Sequence, residues 1–580
     1  MENQRNLILA VVLCGLLIIG YDAAMNTWYP QPEKPVAAAT TGAAPAAGEQ
    51  AGTQHSRTGG LVDPAEVAQE KADLKTALAT PDRVRIDTPK VSGSINLVGA
   101  RIDDLVLKDY RETVDKDSGP VRLFSPAGTP AQHFAEFGFI ANGSRLPLDA
   151  KWTADGDTLG IGQPVTLSYT DAVGLVYQVK LSIDDSYMIT AEQTASNPGT
   201  GAAVVQPFSL VNRTSRTASL DQWIAHSGPM GVFADAANYD VDYDDLAESG
   251  RITPEGKVAW TGFTDIYWLS ALVPESGRAV AADYRSLGQE LFRADLIYDP
   301  VTVPAGKAVT LSTRLYAGAK ESVILDKYED AGIEKFGLAI DWGWFRWFEK
   351  PMLWLLRELF QLVGNFGVAI MCLTVIIRGV MFPIAQKQFA SMAAMKAVQP
   401  KMKAIQEKWK DDKQRQQQEI MKLYKDEKVN PLAGCLPLLI QIPIFYALYK
   451  VLVLAIEMRH QPFALWINDL SAPDPAHVLN LFGLLPFEVP ALIAIGPLAI
   501  LLGITMWLTF KLNPSAMDPI QQQIFNIMPW VLMFVMAPFA AGLLLYWNTS
   551  NVLTLAQQKY LYSKHPQLRA AAEAEKAAKA

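Results

Sequence analysis

Three hydrophobic rhythms divide this chain. From about Val84 to Ala319 apolar and polar residues alternate, the pattern of strands that bury one face. Within 175–183, Tyr177, Val179, Leu181 and Ile183 share a face, and 164–169 and 309–316 repeat the pattern. Turn clusters such as Asn197-Pro198-Gly199 and Pro304-Ala305-Gly306 punctuate the alternation. Many strands with regular breaks and no sustained helical period predict a large antiparallel β-sandwich.

Behind this region the alternation gives way to continuous apolar runs. Five are candidate bilayer spans: Leu362–Phe382, Leu432–Ile456, Val489–Phe510, Ile524–Pro538 and one around Phe539–Leu555. The last two nearly touch, so a tight outer turn near Ala540-Ala541-Gly542 must part them. A shorter run, Leu7 to Gly20, follows Arg5. It reads as a cleaved signal peptide or an uncleaved anchor. The stretch Tyr21–Met25 is a poor cleavage site, and Leu13 before Cys14 is not the small residue a lipoprotein wants, so the anchor is favoured. The fold class is then a polytopic α-helical membrane protein with six transmembrane helices and a large β-sandwich.

The third rhythm is helical and amphipathic. Between Asp341 and Leu359, Trp342, Trp344, Phe345, Trp347, Phe348 and Trp354 interleave with Arg346, Glu349, Lys350 and Arg357. Tryptophan prefers the headgroup level, so this segment reads as a helix lying along the membrane surface. In 386–430, Val398, Met402, Ile405 and Trp409 fall on one face, with Ile420 and Tyr424 forming a second stripe. Asp411-Asp412 between them marks the tip of a helical hairpin. The stripe either packs one arm on the other, lies on the membrane, or docks a partner. Pro30 to Gly60, rich in Ala, Gly, Pro and Thr, buries too little to fold and reads as a tether. The resulting map is an anchor at 1–25, a linker at 26–82, the sandwich at 83–335 and the interfacial helix at 336–360. A core of five spans follows at 361–562, with the hairpin 386–430 inside it, and a tail at 563–580.

Charge orients the map. Residues 386–430 hold eleven Lys/Arg and six Asp/Glu, whereas 457–488 hold four acids and one Arg. Basic loops of this length stay in the cytoplasm. Counting crossings from there puts both termini inside and the sandwich outside, in the periplasm. The balance agrees: residues 1–342 carry 28 basic and 44 acidic side chains, and 343–580 carry 23 and 15. The hairpin lysines suit anionic lipid headgroups or ribosomal RNA, and charge alone does not separate these. Cys14, Cys372 and Cys435 form no disulfide or zinc pattern, and no phosphate loop or HExxH motif occurs. No cofactor is implied.

Inside the spans the polar residues stand out. Arg378 lies in the first, where a cation costs roughly 3 kcal/mol on insertion scales. It faces protein or water, or it snorkels to the headgroups from one turn inside the run's end. Thr374, four residues earlier, shares its face. Gln441 lies in the second span, and Tyr546, Trp547, Asn548, Thr549 and Asn551 crowd the last. Converging, they line a wet cavity around one positive charge; otherwise they only bond helix to helix. The reading finds no second intramembrane charge, which argues against a proton relay or ion-coupled transporter.

Gly93-Ser94-Ile95-Asn96-Leu97 with Gly99–Leu105 resembles the first strands of the periplasmic domain of the YidC membrane protein insertase family. The helix Thr374–Gly379 resembles that family's groove-arginine helix. Ser391-Met392-Ala393, Gln399-Pro400-Lys401 and Asp411–Arg415 are similar to its cytoplasmic hairpin, and Lys428–Cys435 with Pro437–Phe445 is close to a family signature. Pro462–Ile467 and Asp469-Leu470-Ser471 continue the match.

The resemblance implies an inner-membrane insertase and chaperone that needs no nucleotide and is not an enzyme. It would hold a hydrophilic groove open to the cytoplasm, built here from Arg378, Thr374, Gln441, Tyr546, Trp547 and Asn551. It also implies an apolar slide including Phe445 and Val535, and a sandwich related to mutarotase-like folds. Implied partners are nascent membrane proteins, the Sec translocon with its accessory subunits, and the ribosome and signal recognition particle pathway, with no DNA. Three features depart from the family pattern. The outer turn lacks a proline before Ala541-Gly542, the tail is only weakly basic, and Trp547 stands where tyrosine is common. A secondary transporter or channel with a recognition domain is the alternative; it predicts paired intramembrane acids or an inverted repeat. A membrane-anchored carbohydrate-active enzyme would need a carboxylate pair facing a cleft.

Overall fold

The computed structural model describes residues 73–564 except 116, 220–224, 411, 428–435, 483–484, 486–488, 490–493 and 513–518. The expected anchor, the whole Pro30–Gly60 tether, the linker up to residue 72, the tail beyond 564 and the 428–435 part of the signature lie outside the described residues.

Alternation becomes a sandwich of two sheets, one of twelve strands and one of nine. Tyr177, Val179, Leu181 and Ile183 on the strand Val176–Ile183 all point into the core. That strand pairs antiparallel with Met188–Asn197 on one side and Val165–Thr170 on the other, and Met188–Asn197 pairs in turn with Lys307–Ala319. Among the described residues the strands pair antiparallel apart from a short parallel pairing of Arg85 and Ile86 with Thr158 and Leu159, and a single parallel bridge joins Ile161 to Ile183. Gln193 sews the layers together: its Nε2 donates to the carbonyls of Gly138 (2.9 Å) and Phe208 (3.0 Å) on the other sheet. Buried Glu136 accepts from Arg101 Nε at 3.0 Å and from Arg145 Nη2 at 2.7 Å. Burial alone would raise its carboxyl, but Arg145 and Arg101 together hold it down at about 2.

The chain leaves the sandwich through helix α1 (Ser322–Asp330) and enters α2 (Arg346–Val363), the amphipathic segment. Trp347 and Trp354 are largely exposed. Trp342 is not part of that face. It is fully buried in the core, because the short helical turn Phe336–Ala339 tucks residues 336–342 under the sandwich before α2 begins. Lys350 on α2 pairs with Asp326 on α1 at 2.6 Å.

A two-residue corner follows. Gly364 takes a left-handed conformation (φ 69°) and caps α2 by donating to Phe360 O, while Asn365 Oδ1 accepts from Val368 N and opens α3 (Phe366–Lys408). Helix α3 runs 43 residues, through Pro383 and Pro400, and so joins the first span to the first hairpin arm without a break. Pro383 would crowd the carbonyl four residues back, but that residue is exposed Gly379, where the helix can yield. Helix α4 (Lys413–Asp426), capped by Asp412, returns along the arm; Tyr424 Oη meets Met402 Sδ at 3.3 Å and Lys401 meets Glu427 at 2.5 Å. The hairpin stripes therefore contact each other.

The remaining spans are α5 (Leu436–Leu454), α6 (Pro497–Leu512), α7 (Pro519–Met536) and α8 (Ala541–Lys564). Among the described residues one helical stretch, Phe366–Lys387, is long and apolar enough to cross a membrane, and 441–454, 497–511 and 526–536 are shorter apolar helices. Part of the expected second and third spans (432–435 and 490–493) lies outside the described residues. Helix α6 also starts late because Pro497, at its first position, favours a helix start and cannot extend one backward. One charge was passed over in the sequence: Lys450, inside the second span, is buried and pairs with Asp341 at 3.6 Å. It sits near the end of α5 next to Val451–Leu454, under the sandwich junction, and Asp341 offsets it there.

Candidate functional site

Helices α3, α5 and α8 bring most of the intramembrane polar residues together. Arg378, on α3, donates from Nε to Ser550 Oγ on α8 at 3.0 Å and also bonds it through Nη2. One turn before Ser550, Tyr546 is buried and its Oη accepts from Gln441 Nε2 of α5 at 2.8 Å. One residue on, Trp547 meets Phe445 of α5 edge-to-face, ring centres 4.8 Å apart. Arginine, glutamine, tyrosine and tryptophan thus form one cluster, with Phe445 at its apolar margin.

Two of the sequence candidates sit elsewhere. Thr374 is fully buried and its Oγ1 donates to Ile370 O of its own helix at 2.7 Å, so its hydroxyl is spent on the backbone. Asn551 faces α6: its Nδ2 donates to Thr505 Oγ1 at 3.1 Å. Asn548 joins it, accepting from Thr505 Oγ1 at 3.2 Å and donating to Leu498 O at 3.0 Å. These bonds fasten α8 to α6. Ser550 was missed, though a signal existed: it follows Tyr546 by four residues and so shares its face. At 100° per residue, 546 and 550 lie on one side of α8, while 548 and 551 lie on the other.

Apolar residues take the outside. Ile527, Trp530, Val531, Phe534 and Val535 of α7 are all exposed, at the three- and four-residue spacing of a single stripe. Leu501, Ile504 and Leu508 of α6 and Val375, Ile376 and Val380 of α3 do the same. Val535 belongs to this stripe and Phe445 to the interior margin.

The end of the bundle next to the sandwich is closed by the loop before α6. Asp474 is almost fully buried; it accepts from Trp466 Nε1 (2.9 Å), Ala476 N (3.1 Å) and Leu498 N (3.0 Å), capping α6. Ala541 N and Gly542 N donate to the carbonyls of Ala472 and Leu470 at 2.7 and 2.9 Å. The turn without proline is thus sewn to the loop through the two residues that follow Ala540.

Helices that bury their polar groups and display their apolar ones invert the plan of a soluble bundle, and that inversion marks an integral membrane protein carrying a β-sandwich. Residues 83–355 match the family described as the YidC periplasmic domain, and residues 358–568 match that described as 60Kd inner membrane protein. The membrane protein insertase YidC of Zymomonas mobilis subsp. mobilis is 43% identical over 576 residues, covering 97% of this chain and 96% of the relative. The crystal structure of an active YidC insertase with its first transmembrane domain resolved covers 82% of this chain and 92% of its own, at 18% identity and TM-score 0.36. A galactose mutarotase-like protein from Lactobacillus casei ATCC 334 covers 41% of this chain and 100% of its own, at 13% identity and TM-score 0.28. The chain belongs to the YidC family, and it is an inner-membrane protein.

Proposed function

We propose that this chain inserts nascent membrane proteins into the inner membrane by receiving them at the Arg378 cluster and releasing their apolar segments along α7. The observation that carries the reading is the state of Arg378. Its guanidinium is held between α3 and α8 by a neutral hydroxyl, with the Gln441–Tyr546 pair beside it. A hydroxyl fixes the guanidinium without cancelling its charge, which leaves the charge to attract a polar or acidic segment of a substrate.

The physical device is a shortened low-dielectric path. Moving a hydrophilic segment across some 30 Å of hydrocarbon costs many kcal/mol. A wet polar groove reaching part-way removes much of that cost, and burial of the substrate's own apolar helix supplies the drive. The membrane potential assists acidic segments moving outward. Phe445 and Trp547 stand at the boundary between the polar cluster and the apolar surface, and the stripe ending at Val535 gives a sliding helix a lipid-like wall. No nucleotide and no covalent chemistry enter this scheme.

In this scheme both termini and the hairpin lie in the cytoplasm, and the sandwich and the loop before α6 lie outside. The hairpin, with its excess of lysine, meets anionic lipid or the ribosome and signal recognition particle, and the sandwich meets the Sec translocon.

Site-specific photocrosslinking tests the reading. Probes at Gln441, Phe445 and Trp547 in purified proteoliposomes crosslink to a nascent substrate during insertion and lose it on release. Silence at these positions, with crosslinks only to the sandwich, overturns the groove.

A further inference from the structure

A cavity of about 670 Å³ lies at the seam between sandwich and bundle, apart from the Arg378 cluster. Its walls come from the strand end carrying Arg111, the last turns of α2 with Arg357 and Phe360, the start of α3 at Phe366, and the outer loop with Glu457 and Arg459.

The depth of this cavity follows from α2. Tryptophans 347 and 354 are exposed on that helix, and such residues settle at the headgroup level. Arg357, three residues after Trp354, opens close to the same face. The cavity therefore meets the membrane where phosphates are.

Its charge balance is positive. Asp109 and Glu457 oppose Arg111, Arg357 and Arg459. Arg459 donates to the carbonyls of Arg111 (2.7 Å) and Glu112 (3.1 Å) and lies over the Tyr267 and Trp268 rings (5.7 and 5.3 Å), with Asp469 also acting on its charge. Arg357 faces Glu457, whose carboxyl its charge pulls down against the effect of burial, so the carboxylate competes with any ligand for this guanidinium. Burial raises the Glu457 carboxyl above its ordinary range, and Ser322 Oγ donates to its Oε1 at 3.3 Å. Burial lowers the His460 imidazole, as does the adjacent Arg459, against the pull of Asp469. Beside the guanidinium groups, Phe360 and Phe366 stack in parallel with ring centres 3.9 Å apart, forming a flat apolar wall. Guanidinium matches phosphate in a two-point hydrogen bond, and an apolar wall suits a glycerol ester and the head of an acyl chain.

We propose that this cavity binds the phosphate of a phospholipid headgroup, with Arg357 as the principal donor and the Phe360–Phe366 wall against the lipid's ester region. The site rests on the interfacial placement of α2 and not on the groove. Lipid held here would tie the sandwich, the interfacial helix and the outer loop to the membrane at one point.

Native mass spectrometry of the full-length protein, released from nanodiscs of phosphatidylglycerol and phosphatidylethanolamine, tests the proposal. Wild type retains phospholipid, and Arg357→Gln retains about tenfold less, the loss expected for a charge-assisted hydrogen bond. Glu457→Gln removes the competing carboxylate with almost no change of shape and raises retention, a gain that misfolding cannot produce. Equal retention in wild type and Arg357→Gln, or no gain in Glu457→Gln, overturns the site. Should excess inorganic phosphate alone strip the lipid, the ligand is free phosphate and the lipid assignment fails. Should an acidic peptide strip it where phosphate does not, the site belongs to a protein segment instead.

Discussion

Arg378 spends two donors on a single acceptor, Ser550 Oγ, across the α3–α8 contact. Ser550 is buried, so the bond fixes where the guanidinium sits without neutralising it.

Arg378→Ala is expected to lower insertion of substrates with acidic translocated segments by about tenfold, the scale of one charge-assisted hydrogen bond. Arg378→Lys loses less, since the charge remains. Protease protection of inserted substrate in proteoliposomes measures both; an Ala variant as active as wild type across such substrates sinks the groove reading.

Asp474→Ala leaves Trp466 Nε1, Ala476 N and Leu498 N without their carboxylate acceptor. The expected cost is about 3 kcal/mol, read as a lowered unfolding temperature in detergent. Asp474→Asn, which keeps acceptor capacity, recovers part of it. An unchanged temperature in the Ala variant would show that the loop is not held this way.

Asn551→Leu breaks the bond to Thr505 and is expected to cost about 1 kcal/mol of stability. Substrate crosslinking at Trp547 stays as in wild type, because Asn551 faces α6. A selective loss of crosslinking at full stability would return Asn551 to the substrate path.

Glu136 contributes to the acid sensitivity of the sandwich. Its carboxyl is held at about 2, below the ordinary 4.5. A depressed carboxylate contributes stability above the unfolded value and loses it as pH falls toward the folded one. Stability of the sandwich should therefore drop from about pH 4.5 to about pH 2, by about 3 kcal/mol from this group. Glu136→Gln flattens that slope; a slope identical to wild type in thermal melts across this window would rule the pair out as its source.

Much of the architecture was legible because period and burial are the same fact. Strand alternation at Tyr177, Val179, Leu181 and Ile183 carried the element type, and the acidic pair ending in Asp412 marked the hairpin tip, whereas the first span, expected from Leu362, begins at Phe366 behind its cap Asn365. The cluster was legible in composition but not in partnership. Sequence spacing puts Thr374 and Arg378 on one face, yet only packing decides that the shorter side chain bonds its own backbone while the longer one reaches α8. Trp342 misled for a related reason: tryptophan suits a membrane surface and a protein core equally, and the turn that buries it has no composition signal. Lys450 hid in an apolar run because its partner Asp341 is more than a hundred residues away.

The corner at Gly364 and Asn365 also sets a depth. On the reading that lays α2 in the membrane surface, only two residues precede the inward turn, so the first turn of α3 would start at that surface. Twelve residues separate Phe366 from Arg378, about 18 Å of helix. In a hydrocarbon layer some 30 Å thick, the Cα of Arg378 would then hang near the midplane. The corner is a plumb line: it meters how far below the surface the charge is suspended, and adding or removing a turn between Phe366 and Arg378 would shift that depth by about 5 Å.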